Sequence, residues 1–112
     1  MSLQSLSPNF AVAGQISADE LASIAQAGFK SIICNRPDGE DGPGQPTFAS
    51  IERAAREVGL QAGFLPVSPG QISPDQVRAM ARLLSELPAP VLAYCRSGAR
   101  STSLWQMARA LR

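Results

Sequence analysis

Short apolar runs alternate four times with capped helical segments along this chain, and that alternation narrows its fold more than any other feature. Phe10-Ala11-Val12-Ala13 is a strand candidate ending at Gly14. Ser17-Ala18-Asp19-Glu20 follows as a capping box, with Ser17 at the N-cap and Glu20 at the third helical position. Leu21, Ile24 and Ala25 then recur at helical spacing up to Gly28, where a C′ glycine belongs. Ser31-Ile32-Ile33-Cys34 is a continuous apolar run, the pattern of a strand buried on both faces. After a polar stretch from Arg36 to Pro46, a helix is predicted from about Thr47 to Gly59, with Phe48, Ile51, Ala55 and Val58 on one face.

Phe64-Leu65-Pro66-Val67 is the third predicted strand, and Ser73-Pro74-Asp75-Gln76 opens a third helix with a second capping box. Gly14-Gln15-Ile16-Ser17 recurs as Gly70-Gln71-Ile72-Ser73, one capping solution used twice. Pro88 and Pro90 end the third helix, Val91-Leu92-Ala93-Tyr94 is the fourth strand, and Ser101 to Leu111 the last helix. Strands alternating with helices imply parallel pairing and right-handed crossovers. The expected fold is therefore a three-layer α/β sandwich on a mainly parallel four-stranded sheet. At 112 residues there is room for one domain. It is placed at 9–112, with 1–8 read as a disordered N-terminus.

Composition removes several chemistries. The chain has no histidine, which excludes Ser-His-Asp triads, Cys-His dyads and His-ligated metals together. Nothing calls for a metal or an organic cofactor. Two cysteines cannot staple a domain of this size and read as thiols. No apolar run reaches membrane-spanning length, and the N-terminus lacks the basic start and apolar core of a signal peptide, so a cytoplasmic setting is expected. A net charge of +1 argues against nucleic-acid or membrane-surface partners. The charge is uneven, however. Val91 to Arg112 holds Arg96, Arg100, Arg109 and Arg112 and no acid, against six basic and nine acidic residues before it. Such a basic pole suggests a local anion site.

That site is expected where parallel sheets bind ligands, beyond the carboxyl ends of the strands. Strand four ends in Cys95-Arg96-Ser97-Gly98-Ala99-Arg100-Ser101. The amides after Cys95 should curl into a helix N-terminus that favours an anion and, with Arg96 and Arg100, lowers the thiol pKa to hold a nucleophilic thiolate. Gly98 permits a positive φ or close approach of substrate. Arg100 offers a planar fork for two oxygens. Ser101 either caps the last helix or donates to the thiolate. Arg36 either lines the crevice or is an ordinary loop arginine. Cys34 lies near a strand end, where it fills the core or approaches Cys95 closely enough for a protective disulfide.

These residues carry a resemblance to known families. Cys95, Arg96, Gly98 and Arg100 match the Cys-Arg-x-Gly-x-Arg loop of rhodanese-like sulfurtransferases. Tyrosine and dual-specificity phosphatases place five residues between Cys and Arg, whereas four separate Cys95 from Arg100. Over nearly its full length the chain resembles the phosphatase-like domains of bacterial beta-lactamase hydrolase-like proteins. The segments that match are Val12 to Ser17, Asn35 to Glu40, Pro66-Val67 and Tyr94 to Ser101. The resemblance implies a protein tyrosine phosphatase-like fold and, as partner or fused domain, a persulfide dioxygenase.

Two chemistries compete. The shorter loop should supply fewer amides and suit a single sulfur better than a phosphoryl group. The dual-specificity pattern would place an acid just past Pro66-Val67, where Ser68-Pro69-Gly70 stands. Asp38, helped by Glu40 or Asp41, is a substitute acid or else a solvated turn residue. The leading expectation is sulfur transfer from thiosulfate or a persulfide through a Cys95 persulfide, with Arg100 and Arg96 orienting the anionic donor and Ser97, Gly98, Ala99 and Ser101 lining the loop. The alternatives are phosphomonoester hydrolysis through a cysteinyl-phosphate and a non-catalytic anion-binding domain. Cys95→Ser separates the last, since only an enzyme should lose turnover.

Overall fold

A computed structural model describes residues 2–111; Met1 and Arg112, assigned above to the N-terminal tail and to the domain, lie outside them. Its strands are β1 (Leu3–Ser7), β2 (Phe10–Ala13), β3 (Ser31–Cys34), β4 (Gln61–Phe64) and β5 (Val91–Tyr94). The helices are α1 (Leu21–Gln26), entered through a 3₁₀ turn at Ala18–Glu20, α2 (Phe48–Glu57), α3 (Pro74–Glu86) and α4 (Ala99–Arg109). The sheet order is β1-β2-β5-β3-β4, with β1 antiparallel to β2 and every other pairing parallel.

The period-two alternation of the strands sorts two cores. Ala11, Ala13, Ile32, Cys34, Leu92 and Tyr94 face one side, against Leu21 and Ile24 of α1 and Ile51 and Ala55 of α2. Phe10, Val12, Ile33, Val91 and Ala93 face the other, against Met80 of α3 and Leu104, Trp105 and Ala108 of α4. Every residue of β2, β3 and β5 is buried, which is why these strands read as unbroken apolar runs. The layered α/β class stands as expected.

Three boundaries differ from expectation. The sheet has five strands, because Leu3–Ser7, read as disordered, pairs along β2 in the register Leu3 to Ala13 and Gln4 to Val12. Its side chains are mostly exposed, so the backbone pairs without an apolar alternation to announce it. The third predicted strand lies earlier, at Gln61–Phe64. Gly59 closes α2 at a φ of 82°, and the Gln61 N–H at once donates to the Lys30 carbonyl. Beyond Phe64 the amides of Leu65 and Val67 still donate to the Cys34 and Asn35 carbonyls, and Pro66 between them is tolerated because β4 is an edge strand. Helix α4 begins at Ala99, which puts Ser101 inside it, and Gly98 stands at its N-cap with φ 93°.

Candidate active site

Parallel pairing of β2, β3 and β5 brings three carboxyl ends together. Ala13, Cys34 and Tyr94 stand abreast in the register, so the segments that follow share one end of the sheet. Cys95 follows Tyr94 directly, its N–H donating to the Ala13 carbonyl at 3.3 Å. The chain then turns through Gly98 into α4. Gly98 N–H donates to the Cys95 sulfur at 3.1 Å. Burial pushes the Cys95 thiol up, but the amides of Ser101, Ser97, Gly98 and Arg100 all act on the sulfur and outweigh it, so the thiol is more acidic than usual. The sulfur itself is fully buried on the floor of this ring.

Gly14 makes the close fit possible. A Cβ at this position would stand 2.9 Å from the Arg96 carbonyl oxygen, so only glycine lets the β2–α1 turn press against the loop.

Arg100 is fixed from a distant part of the chain. Its NH1 and NH2 donate to the two carboxylate oxygens of Glu40, each at 2.8 Å, and NH1 also donates to the Val67 carbonyl at 2.8 Å. Arg36 Nε donates to the same Glu40 at 2.8 Å, and its NH1 to Gln15 Oε1 at 3.0 Å. Glu40 is therefore a bridge between two guanidiniums. The Arg100 hydrogen bond, with help from Arg36, holds its carboxyl at about 2, well below the usual carboxylate range. Glu40 and the Cys95 sulfur in turn keep Arg100 more firmly protonated. Three of the five guanidinium N–H groups go to these protein oxygens, and the guanidinium also meets the Cys95 sulfur, which places it at the mouth of the loop.

The remaining candidates take defined places. Arg36 is buried and bonded to Glu40 and Gln15, so it is not an ordinary exposed loop arginine. Arg96, Ser97 and Ala99 form the exposed rim of the loop, and Gly98 is buried. Arg96 has no carboxylate partner among the described residues. Ser101 neither caps α4 nor donates to the sulfur through its hydroxyl. That hydroxyl donates to Asn35 Oδ1 at 2.8 Å, and both residues are fully buried. Asp38 accepts the Phe48 N–H at 2.8 Å and so serves the start of α2 rather than the crevice. Cys34 donates to the Arg36 carbonyl at 3.3 Å, burial pushes its thiol up, and both cysteines are free thiols.

Glu40 and Asn35 are what sequence reading missed. Glu40 was considered only as an auxiliary acid, and Asn35 only as part of a matching segment.

Comparison with known proteins follows the same residues. Residues 2–112 match the family described as Beta-lactamase hydrolase-like protein, phosphatase-like domain. A Beta-lactamase hydrolase-like protein of Agrobacterium fabrum is 40% identical over 100 residues, which is 89% of this chain and 23% of the relative. The chain spans about a quarter of the length of the curated relatives it matches. Among solved structures, a candidate phosphatase from Neisseria meningitidis Z2491 superposes with a TM-score of 0.88 at 35% identity, covering 98% of this chain and 78% of that one. Tk-PTP in its active form has a TM-score of 0.67 at 18% identity, covering 99% and 82%, and bears on the fold alone.

These findings overturn the expectation of a rhodanese-like sulfurtransferase. The family and the structural neighbours are phosphatase-like. The short loop brings the amides of Ser97, Gly98, Arg100 and Ser101 to bear on the sulfur.

Proposed function

We propose a function on one premise, that the chain belongs to the phosphatase-like domain family of the beta-lactamase hydrolase-like proteins. On that premise it is a cysteine-dependent phosphatase acting on a small anionic substrate. The observation that carries this reading is the Arg100 guanidinium, clamped by Glu40 on one edge and set against a ring of amides that makes the Cys95 thiol more acidic than usual. A phosphoryl group has the charge and the oxygens to fill that arrangement.

The Cys95 thiolate attacks phosphorus in line with the ester oxygen, and the phosphoryl group passes to sulfur. The P–O bond breaks with its electron pair staying on that oxygen, which leaves as an anion or takes a proton from water. Loop amides and Arg100 stabilise the equatorial oxygens as charge develops. Water then attacks the phosphocysteine, the S–P electron pair returns to sulfur, and inorganic phosphate leaves. Ser97, Gly98, Ala99 and Ser101 contribute the loop, and Arg96 its outer charge. The reading treats residues 9–112, with β1 added at the sheet edge, as one domain in a reducing, cytoplasmic setting that keeps Cys95 a thiol. The persulfide dioxygenase that the resemblance implies as partner or fused domain finds no support in the comparisons.

Turnover of 4-nitrophenyl phosphate tests the proposal. Release of nitrophenol is expected from the wild type, and its loss from Cys95→Ser and Arg100→Lys, since lysine cannot reproduce the fork. Equal turnover by Cys95→Ser would overturn it.

A further inference from the structure

We infer that the site is built for phosphoryl groups whose leaving group departs as a stable anion, foremost phosphoanhydrides, and that Arg96 receives that anion. The inference rests on the phosphatase reading and narrows its substrate class.

The first observation is that no acid lines the crevice beside Arg96 and Arg100, and that the acid bonded to the loop itself is committed. A phosphomonoester of an alcohol needs a proton on its leaving oxygen, a contribution of about 10²- to 10⁴-fold in rate. Glu40, nearest the loop, lies between two arginines with its carboxyl held at about 2, so it is ionised at neutral pH. Asp38 accepts the Phe48 amide at the start of α2. Asp41 is exposed and faces Arg36 at 4.0 Å. Glu20 accepts the Ser17 amide in its cap, and Asp75 is paired with Arg78 on α3. The Val67 to Ser73 segment that covers Arg100 carries no acid, and the chain has no histidine. Burial raises both Cys34 and Tyr94, which lie in the core beneath the sheet.

The second observation is what stands where the proton donor is missing. A hollow of about 400 Å³ opens beside the loop, lined by Pro69, Gly70 and Ile72 on one wall and by Arg96 and Arg100 on the other, with no acidic residue in its lining. The hollow on the opposite side of the loop, about 410 Å³, has no charged residue in its lining. Arg96 is exposed and has no carboxylate partner among the described residues. A fixed positive charge suffices for a departing anion that is stable without a proton, whereas a strongly basic alkoxide still needs the proton that a guanidinium does not supply. Phosphate groups titrate near about 6, so a phosphate leaving group is anionic at neutral pH.

The chemistry balances without an acid. The Cys95 thiolate forms the S–P bond, and the bridging P–O bond breaks with both electrons going to the leaving phosphate, which departs as an anion toward Arg96. Water then adds to phosphorus, the S–P pair returns to Cys95, one water hydrogen leaves with inorganic phosphate and the other goes to solvent.

The test compares four probes on the whole chain: ADP, acetyl phosphate, 4-nitrophenyl phosphate and glycerol phosphate. ADP, acetyl phosphate and the nitrophenyl ester are expected to turn over, with glycerol phosphate slower than ADP by at least about 10²-fold, the missing share of a general acid. Faster ADP than acetyl phosphate identifies the anhydride, and the reverse identifies an acyl phosphate and overturns the preference for anhydrides. Arg96→Ala should lower ADP turnover about tenfold more than nitrophenyl phosphate turnover. An unchanged ratio would overturn the role given to Arg96. Glycerol phosphate within tenfold of ADP would overturn the inference while leaving the phosphatase reading intact. No turnover of any probe would take down that reading itself.

Discussion

Glu40 and Arg100 are 60 residues apart in sequence and joined by two parallel 2.8 Å hydrogen bonds. One carboxylate thereby fixes the plane of the guanidinium that must meet the phosphoryl oxygens. Fork-to-fork pairs of this kind add geometric specificity to charge. Replacing Glu40 with Gln removes one matched acceptor and frees the arginine to rotate. We expect kcat/KM for 4-nitrophenyl phosphate to fall about 10²-fold, the scale on which small misplacements act. Steady-state kinetics on the two proteins checks this.

The same pair sets an acid limit. The Glu40 carboxyl is held at about 2, against an unfolded value near about 4.3. A depressed folded pKa means that the unfolded chain takes up the proton first. The pair's stabilisation is therefore complete above about pH 4.3 and is lost as pH falls toward about 2. Thermal melts at pH 5 and pH 3 should show a smaller acid-induced drop for Glu40→Gln than for the wild type.

Cys95 and Cys34 should titrate far apart. Buried loop amides favour the Cys95 thiolate, whereas burial pushes the Cys34 thiol up. Ultraviolet titration of thiolate absorbance should show one step below the ordinary thiol value of about 8.5, absent from Cys95→Ser and retained in Cys34→Ala. Turnover should rise with pH through that same step, because only the deprotonated sulfur attacks.

Gly14→Ala tests how tightly the turn after β2 supports the loop. The new Cβ would meet the Arg96 carbonyl at 2.9 Å, and backbone on both sides leaves little room to relax. A loss of about 1–3 kcal/mol in folding stability is expected, with a larger proportional loss of turnover because the displaced atoms belong to the loop. Denaturant melts and kinetics on one preparation measure both.

Ser101→Ala addresses a buried polar contact. Asn35 Nδ2 donates to the Leu65 carbonyl and its Oδ1 accepts the Ser101 hydroxyl, so the variant strands that oxygen in the core. The expected cost is about 1–3 kcal/mol. The amide of residue 101, which acts on the sulfur, survives the substitution, so the low thiol pKa should persist.

Much of this architecture was legible because short-range chemistry encodes it. Ser73 and Gln76 exchange the hydrogen bonds their spacing announces, and α2 starts where expected, with Thr47 as its cap. Phe10–Ala13, Ser31–Cys34 and Val91–Tyr94 are buried throughout and stand where the apolar runs placed them. Cys95 before a helix N-terminus was equally local. What escaped depends on partners far along the chain. Leu3–Ser7 is a strand only because β2 offers it an edge. Glu40 lies in a stretch with no periodicity, where an acid beside Asp38-Gly39 looks like a solvated turn until the fold brings Arg100 to it. Loop length alone does not decide the chemistry, because the direction of the amides is set by the turn at Gly98.

The most direct measurement of the central claim is the intact mass of the protein after rapid acid quench during turnover of 4-nitrophenyl phosphate. The account expects a gain of one phosphoryl group, mapped to Cys95 by peptide sequencing and absent from Cys95→Ser. Turnover that proceeds with no phosphorylated Cys95 at any quench time, and that survives in Cys95→Ser, would contradict it.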